Sequence, residues 1–125
     1  MKVNISVITL PVFDLQKSLA FYRDGIGLET DGIRNRGSID SSVVFDLQDG
    51  LQLLLLPHEV FEQFSHGHPI ADGAIDSILS FMVDDKAEHD RIIDRVEAMG
   101  GTLLPSVGGT TYFKDPDGHI WEMTT

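Results

Sequence analysis

The chain has no cysteine, few positive charges and no long hydrophobic run. Without cysteine it can form neither disulfides nor thiolate metal sites, and a cysteine nucleophile is excluded. Nine lysines and arginines against 20 acids give a net charge of −11. This charge argues against nucleic acid and anionic membrane partners, because both require clustered positive charge. No run approaches the ~18 apolar residues of a membrane span, and the first residues lack a signal-peptide pattern. We therefore expect a cytoplasmic protein.

An internal repeat organises the chain. Asp14 and Asp85, 71 positions apart, each follow a β-branched or apolar strand and precede an apolar helical face. Glycines end each helix, and three predicted strands follow. The pattern predicts an α+β fold of two βαβββ modules whose curved mixed sheets pair around a cleft. We expect one domain over residues 1–125, with the first module at about 1–57, a connector at about 58–76 and the second module at about 77–125.

The last hairpin brings one acid into an apolar setting. Asp115-Pro116-Asp117-Gly118 is a turn, since proline presets one central position and glycine accepts a conformation that is costly elsewhere. The strand that follows alternates and contains Trp121 and Glu122. Glu122 is therefore either a surface residue at the edge of a strand or the polar group of an otherwise apolar pocket.

These features resemble the vicinal oxygen chelate superfamily, which includes glyoxalase I, bleomycin-resistance proteins, extradiol dioxygenases, fosfomycin-resistance enzymes and methylmalonyl-CoA epimerase. The resemblance covers essentially the whole chain. It rests on these segments: Val12-Phe13-Asp14-Leu15 through Ser18, Phe21-Tyr22, Gly27-Leu28, Phe81-Met82-Val83-Asp84-Asp85, Gly100-Gly101, and Asp115 through Glu122. It implies a homodimer whose ligand clefts can be built from both subunits.

The resemblance also implies four metal-ligand positions, on the cleft faces of the first, fourth, fifth and eighth strands. In this chain they fall on Val7, Leu54, Ile78 and Glu122, and the register of the fourth strand allows a shift of one or two residues. Only Glu122 is a metal-ligand type. One carboxylate cannot hold a divalent ion against water, because such ions need several protein donors. We therefore expect neither a metal nor another cofactor.

Strand alternation extends the predicted binding surface. If the first, fifth and eighth strands present those positions to the cleft, nine residues contact the ligand: Val7, Thr9, Gln52, Leu54, Ile78, Ser80, Met82, Ile120 and Glu122. The alternate residues Leu79, Phe81, Trp121 and Met123 then belong to the core. Such a cleft suits a largely apolar ligand with one cationic or hydrogen-donating group.

Several polar residues could have either a functional or a purely structural role. Burial would raise the pKa of Glu122 unless a partner compensates, which would suit a general acid or base; a structural role is the alternative. His66 and His68 could share an ion, but they lie in the connector. Arg34 and Arg36 could clamp an anion or could simply be solvated. The remaining histidines, His58, His89 and His119, are expected at the surface or away from the cleft.

Two functions remain open on these residues. The first is metal-independent binding of a small molecule, resembling the bleomycin-resistance branch. The alternative is a glyoxalase-like lyase, isomerase or dioxygenase whose rearranged metal site uses Glu122 and the connector histidines. The sequence does not decide whether the protein is an enzyme.

Overall fold

A computed structural model describes residues 1–35 and 41–125. Within these residues the strands are β1 (Val7–Val12), β2 (Glu29–Arg34), β3 (Ser42–Gln48), β4 (Leu51–Pro57), β5 (Ile78–Met82), β6 (Thr102–Val107), β7 (Thr110–Lys114) and β8 (Ile120–Thr124). The helices are α1 (Leu15–Leu19), which continues as a π-helix over Ala20–Ile26, α2 (His58–Phe61) and α3 (Lys86–Val96). No helix in the described ranges has the length and apolarity that crossing a bilayer requires.

Two four-stranded sheets have the same topology. Their strand orders are β1-β4-β3-β2 and β5-β8-β7-β6. In each sheet the first and last strands of the module pair in parallel, and the remaining pairs are antiparallel. The predicted α+β fold of two βαβββ modules is confirmed.

The predicted helix starts are confirmed by their caps. The Asp14 carboxylate accepts a hydrogen bond from the backbone amide of Lys17 at 3.2 Å. The Asp85 carboxylate accepts one from the backbone amide of Glu88 at 2.9 Å. Each aspartate has an extended backbone, so its side chain satisfies an amide that the helix leaves without a partner.

The first strand is shorter than the sequence predicts. Its β-branched pattern starts at Val3, but the ladder begins at Val7, which lies opposite Gln52. Because β4 itself begins at Leu51, the strand has almost no partner residues left before Val7. One further bond, from the Gln52 amide to the Ser6 carbonyl at 2.9 Å, precedes the ladder.

One hydrophobic core joins the two modules. Tyr22 packs against Phe45 of the first sheet and Trp121 of the second, with ring centroids 5.5 and 5.8 Å away. Packing is tight at Gly101, where an added Cβ would lie 2.5 Å from the Phe21 ring and 2.6 Å from a backbone carbonyl. Both predicted core residues of β8 are buried. Among the described residues, the buried members of this core cluster are Val12, Leu19, Phe21, Tyr22, Ile26, Val43, Phe45, Leu53, Leu55, Ile92, Val96, Phe113, Trp121 and Met123.

A buried hydrogen-bond network crosses this core. Asp115 is 3% exposed and accepts a hydrogen bond from the Tyr22 hydroxyl at 2.5 Å. It also accepts the backbone amides of Asp117 and His119, each at 2.9 Å. The Tyr22 hydroxyl in turn accepts the indole N–H of Trp121 at 2.9 Å. Burial raises the pKa of Asp115 more than these bonds lower it, and burial together with Asp115 raises the pKa of Tyr22 well above its usual value.

The turn before β8 also joins the modules at their surface. The Asp117 carboxylate accepts the backbone amide of Phe13 at 2.7 Å and the Ser18 hydroxyl at 3.1 Å. His119 Nε2 lies 2.8 Å from the Pro11 carbonyl. Since a carbonyl only accepts, this ring nitrogen carries the proton. The turn motif therefore connects the second module to the first through side-chain hydrogen bonds.

Candidate functional site

Glu122 lies in the middle of a row of polar side chains on one face of the second sheet. Ser80 and Tyr112 are its partners on the neighbouring strands. The Ser80 hydroxyl donates to Glu122 Oε1 at 2.8 Å, and the Tyr112 hydroxyl donates to Oε2 at 2.5 Å. Both carboxylate oxygens therefore have a hydroxyl donor.

These donors make Glu122 a stabilised carboxylate. The hydrogen bond from Tyr112, and then that from Ser80, lowers the pKa of Glu122, and desolvation opposes them without prevailing. Burial alone would raise the pKa of Glu122, but two compensating hydroxyl donors are present. The bond to Glu122 also raises the pKa of Tyr112. At neutral pH the face presents an anion and not a carboxylic acid, which favours contact with a cation or a hydrogen donor.

Apolar side chains flank this carboxylate. Ile78 lies opposite Ile120 on the adjacent row, and Met82 lies opposite Thr124 beyond Glu122. Ile78 is 54% exposed and Met82 is 76% exposed. On the row before and the row after Glu122, Ile78 and Met82 therefore leave apolar surface accessible on the face that carries the carboxylate.

The corresponding face of the first module has a different character. Val7 is 44% exposed and lies opposite Gln52, whose side-chain amide donates to Asp46 at 3.0 Å. On the next row, Thr9 lies opposite Leu54. The structure thus places the predicted residues on matching faces of two sheets, four in the first module and five in the second.

The strand register shows which residue of the first module corresponds to Glu122. Thr9 and Ser80 are equivalent under the 71-residue repeat, and they lie opposite Leu54 and Glu122 respectively. Leu54 is therefore the counterpart of Glu122 in the first sheet.

The residues at the four positions do not fit a metal ion. Val7, Leu54 and Ile78 offer no donor atom, and both oxygens of Glu122 already accept hydroxyl hydrogen bonds. Zinc-type sites use three or four protein donors, and harder cations use more oxygens. Within residues 1–35 and 41–125, no three histidine, aspartate or glutamate side chains come together in a metal-binding arrangement.

The connector histidines differ from Glu122 because they are exposed and do not lie on a strand. His66 and His68 are exposed in a turn region after α2, where His66 has a positive φ of 54°. Arg34 lies 3.7 Å from the Asp31 carboxylate, while Arg36 falls outside the described residues. Among the described residues, His66 and His68 belong to no group of three metal-binding side chains.

His58 and His89 make side-chain contacts. His58 stacks on Phe13, with ring centroids 3.9 Å apart. His89 Nε2 lies 2.9 Å from the Thr111 hydroxyl. Each therefore has a local packing partner.

A cavity of about 620 Å³ opens between the modules beside this face. Its walls come from β1, α2, β5, Leu104, Lys114, Ile120, the turn residues 117–119 and residues of the segment 69–77. His119, which the sequence predicts to face away from the cleft, is among these lining residues. Of the nine predicted residues, only Thr9 and Ile120 line it. Its volume lies within the ~300–1,000 Å³ range of small-molecule sites.

Sequence reasoning missed Tyr112 and Lys114. Strand alternation could have identified both residues, because residues two apart on a strand share a face. Tyr112 lies opposite Glu122 and Lys114 lies opposite Ile120. Extending the alternation from β8 to the other strand of its hairpin would have placed both residues on the cleft face.

Comparisons with known proteins agree with this architecture. The model of the Glyoxalase/Bleomycin resistance protein/Dioxygenase superfamily matches residues 4–123. A glyoxalase-related enzyme from Fulvimarina pelagi is 26% identical with a TM-score of 0.79, and the match covers 98% of this chain and 88% of that one. A search of curated proteins gave no match.

Two fosfomycin resistance proteins are also similar in structure. FosX from Mesorhizobium loti is 21% identical, with a TM-score of 0.72 and coverage of 98% of this chain and 91% of that one. A FosX mutant from Listeria monocytogenes, solved with manganese(II) and 1S,2S-dihydroxypropylphosphonic acid, is 26% identical. Its TM-score is 0.69, and the match covers 98% and 92% of the two chains. The family model spans nearly the whole chain, and the repeated βαβββ topology accompanies it. The protein therefore belongs to the Glyoxalase/Bleomycin resistance protein/Dioxygenase superfamily.

Proposed function

We propose that this protein binds a small, largely apolar molecule in its inter-module cleft without the help of a metal ion. The observation that carries the proposal is the state of Glu122. Two hydroxyl donors lower its pKa, and its neighbours Ile78 and Met82 leave apolar surface exposed. A stabilised anion within accessible apolar surface is complementary to an apolar molecule that carries a cationic or hydrogen-donating group.

Metal-dependent chemistry at this site would need ligands that the chain does not place there. The Listeria FosX mutant was solved with manganese(II), so the fold is compatible with a metal. In this chain the positions equivalent to metal ligands hold Val7, Leu54 and Ile78 beside Glu122. Binding alone needs no such ligands, and the net charge of −11 assists the capture of a cation.

We also propose that the protein works as a homodimer. Val7, Ile78 and Met82 all expose apolar surface on the cleft faces, and a second copy would cover part of it. Sedimentation velocity at micromolar concentration tests this directly. A dimer is expected, and a monomer across the accessible concentration range would overturn the pairing.

A thermal-shift screen of apolar cations against the chelator-treated protein tests the binding function. A true ligand at about one hundred times its Kd stabilises the native state by about 2.7 kcal/mol. That shift should fall sharply in Glu122→Gln and persist in Glu62→Gln, a matched change on an exposed residue. A library without any stabilising cation, or stabilisation that is unaffected in Glu122→Gln, would contradict the proposal.

A further inference from the structure

A lysine and the stabilised glutamate lie on neighbouring rows of the same sheet face. Tyr112 is opposite Glu122, and Lys114 is opposite Ile120, one row away. Because residues two apart on a strand point to the same side, Lys114 and Glu122 share a face. Diagonal neighbours of this kind have Cα atoms about 7–8 Å apart. The two opposite charges are thus close enough for one small molecule to contact both.

Lys114 also lies at the wall of the cavity between the modules. The apolar part of that wall includes Ile8, Leu10, Leu79, Leu104 and Ile120. Lys114 is partly buried there, and partial burial of a charge favours pairing it with an opposite charge. The cavity therefore has apolar walls and one lysine ammonium group, and Asp76 and Asp117 also line it.

The carboxylates around Lys114 do not supply that partner. Within the described ranges, no ion pair involves Lys114. Asp117 also lines the cavity, but its two oxygens accept hydrogen bonds from Phe13 and Ser18. Asp76, on the connector, is exposed and forms no ion pair with Lys114 among the described residues. The ammonium group is therefore available to an anionic group of a ligand.

We propose that the ligand is a zwitterion with an apolar body, of the class of the hydrophobic α-amino acids. Its ammonium group contacts Glu122, its carboxylate contacts Lys114, and its side chain enters the cavity. This inference rests on the proposed function, because it assigns Glu122 the same cation-binding role. A purely cationic ligand would leave Lys114 without a partner, and a purely anionic ligand would be repelled by Glu122.

Three indole compounds separate these possibilities, because they share a body and differ only in charge. Tryptophan is the zwitterion, tryptamine carries only the cation, and 3-(indol-3-yl)propionate carries only the anion. Isothermal titration of the wild-type protein should give the tightest binding for tryptophan, by about tenfold or more over each of the others. The comparison uses one folded protein, so it does not depend on a variant.

Variants then assign the charges. Lys114→Met should weaken tryptophan binding about 10- to 100-fold and leave tryptamine binding unchanged. Glu122→Gln should weaken both. Lys86→Met removes the same charge from an exposed lysine of α3 and should alter neither. Lys114→Gln, with circular dichroism to confirm folding, provides a second variant at the site.

The outcomes distinguish the two proposals. If tryptamine binds as tightly as tryptophan and Lys114→Met has no effect, the zwitterion assignment is wrong while the cation-binding function stands. If 3-(indol-3-yl)propionate binds most tightly and Glu122→Gln has no effect, both are wrong. Absence of binding by all three compounds also overturns the inference.

Discussion

The Tyr22 hydroxyl is expected to be one of the most important single polar atoms for stability. Replacing Tyr22 with phenylalanine keeps the ring that packs against Phe45 and Trp121 and deletes only one oxygen. That oxygen donates to Asp115 and accepts from Trp121. The substitution therefore leaves two buried polar groups each without one partner.

The magnitude follows from the cost of those two losses. Tyr22 is 1% exposed, so water cannot replace the hydroxyl without disturbing the core. A buried group left unsatisfied costs about 1–3 kcal/mol. Asp115 keeps its two backbone amide donors, which limits its share. We expect Tyr22→Phe to lower the free energy of unfolding by about 2–4 kcal/mol, a large part of the roughly 5–15 kcal/mol typical of a domain.

Urea unfolding followed by circular dichroism measures this difference. Tyr112→Phe is the matched control, because it also deletes a tyrosine hydroxyl that donates to a carboxylate. That face is more open, so water can take over the lost bond, and we expect a change below about 1 kcal/mol. Equal destabilisation by the two variants, or a change below about 1 kcal/mol for Tyr22→Phe, would refute the reasoning.

Three further predictions concern the same elements. Burial raises the pKa of Asp115, so the native state holds this proton more tightly than the unfolded chain. Wild type should therefore lose stability relative to Asp115→Asn as the pH rises from about 4 through the raised pKa; a pH-independent difference in urea unfolding would contradict this. Tyr112→Phe removes the main donor that lowers the pKa of Glu122, so that pKa should rise in a carboxyl NMR titration, and an unchanged midpoint would count against the assignment. Gly101→Ala introduces the clash described above and should lower the free energy of unfolding by about 1–3 kcal/mol or more in the same assay. The control Gly25→Ala places its Cβ 3.4 Å from the Met99 side chain and should change that free energy by less than about 1 kcal/mol. Similar effects of the two substitutions would argue against tight packing at Gly101.

Local patterns in the sequence were sufficient for the architecture. Asp14 and Asp85 are helix caps whose signal lies within a few residues. The alternation around Trp121 and Glu122 fixed which side of β8 meets the core, because the period of a strand is two. The repeat then related Leu54 to Glu122 once the strand pairing was known.

Long-range contacts were beyond such patterns. Asp115 belongs to a turn motif that has the same sequence whether its carboxylate faces water or the core. Its partner Tyr22 is 93 positions away, so no local signal links them. The lowered pKa of Glu122 depends on Tyr112 lying directly opposite, which is a property of the hairpin register.

The cavity was hard to predict for a different reason. Its walls include connector residues Pro69 to Ala71 and Gly73 to Asp76, which lie in a segment without hydrophobic periodicity. The path of such a segment is set by the surfaces it crosses. Lys114, by contrast, was within reach of the alternation argument and was missed because that argument stopped at β8.

Metal analysis of the purified protein tests the central claim most directly. After incubation with Ni²⁺, Zn²⁺, Fe²⁺ or Mn²⁺ and removal of free ions, elemental analysis of wild type and Glu122→Gln gives the metal content per chain. The account predicts far less than one ion per chain in both proteins, because Val7, Leu54 and Ile78 supply no ligands. One ion per chain in wild type that is lost in Glu122→Gln would contradict metal-free binding and favour the metal-dependent enzyme.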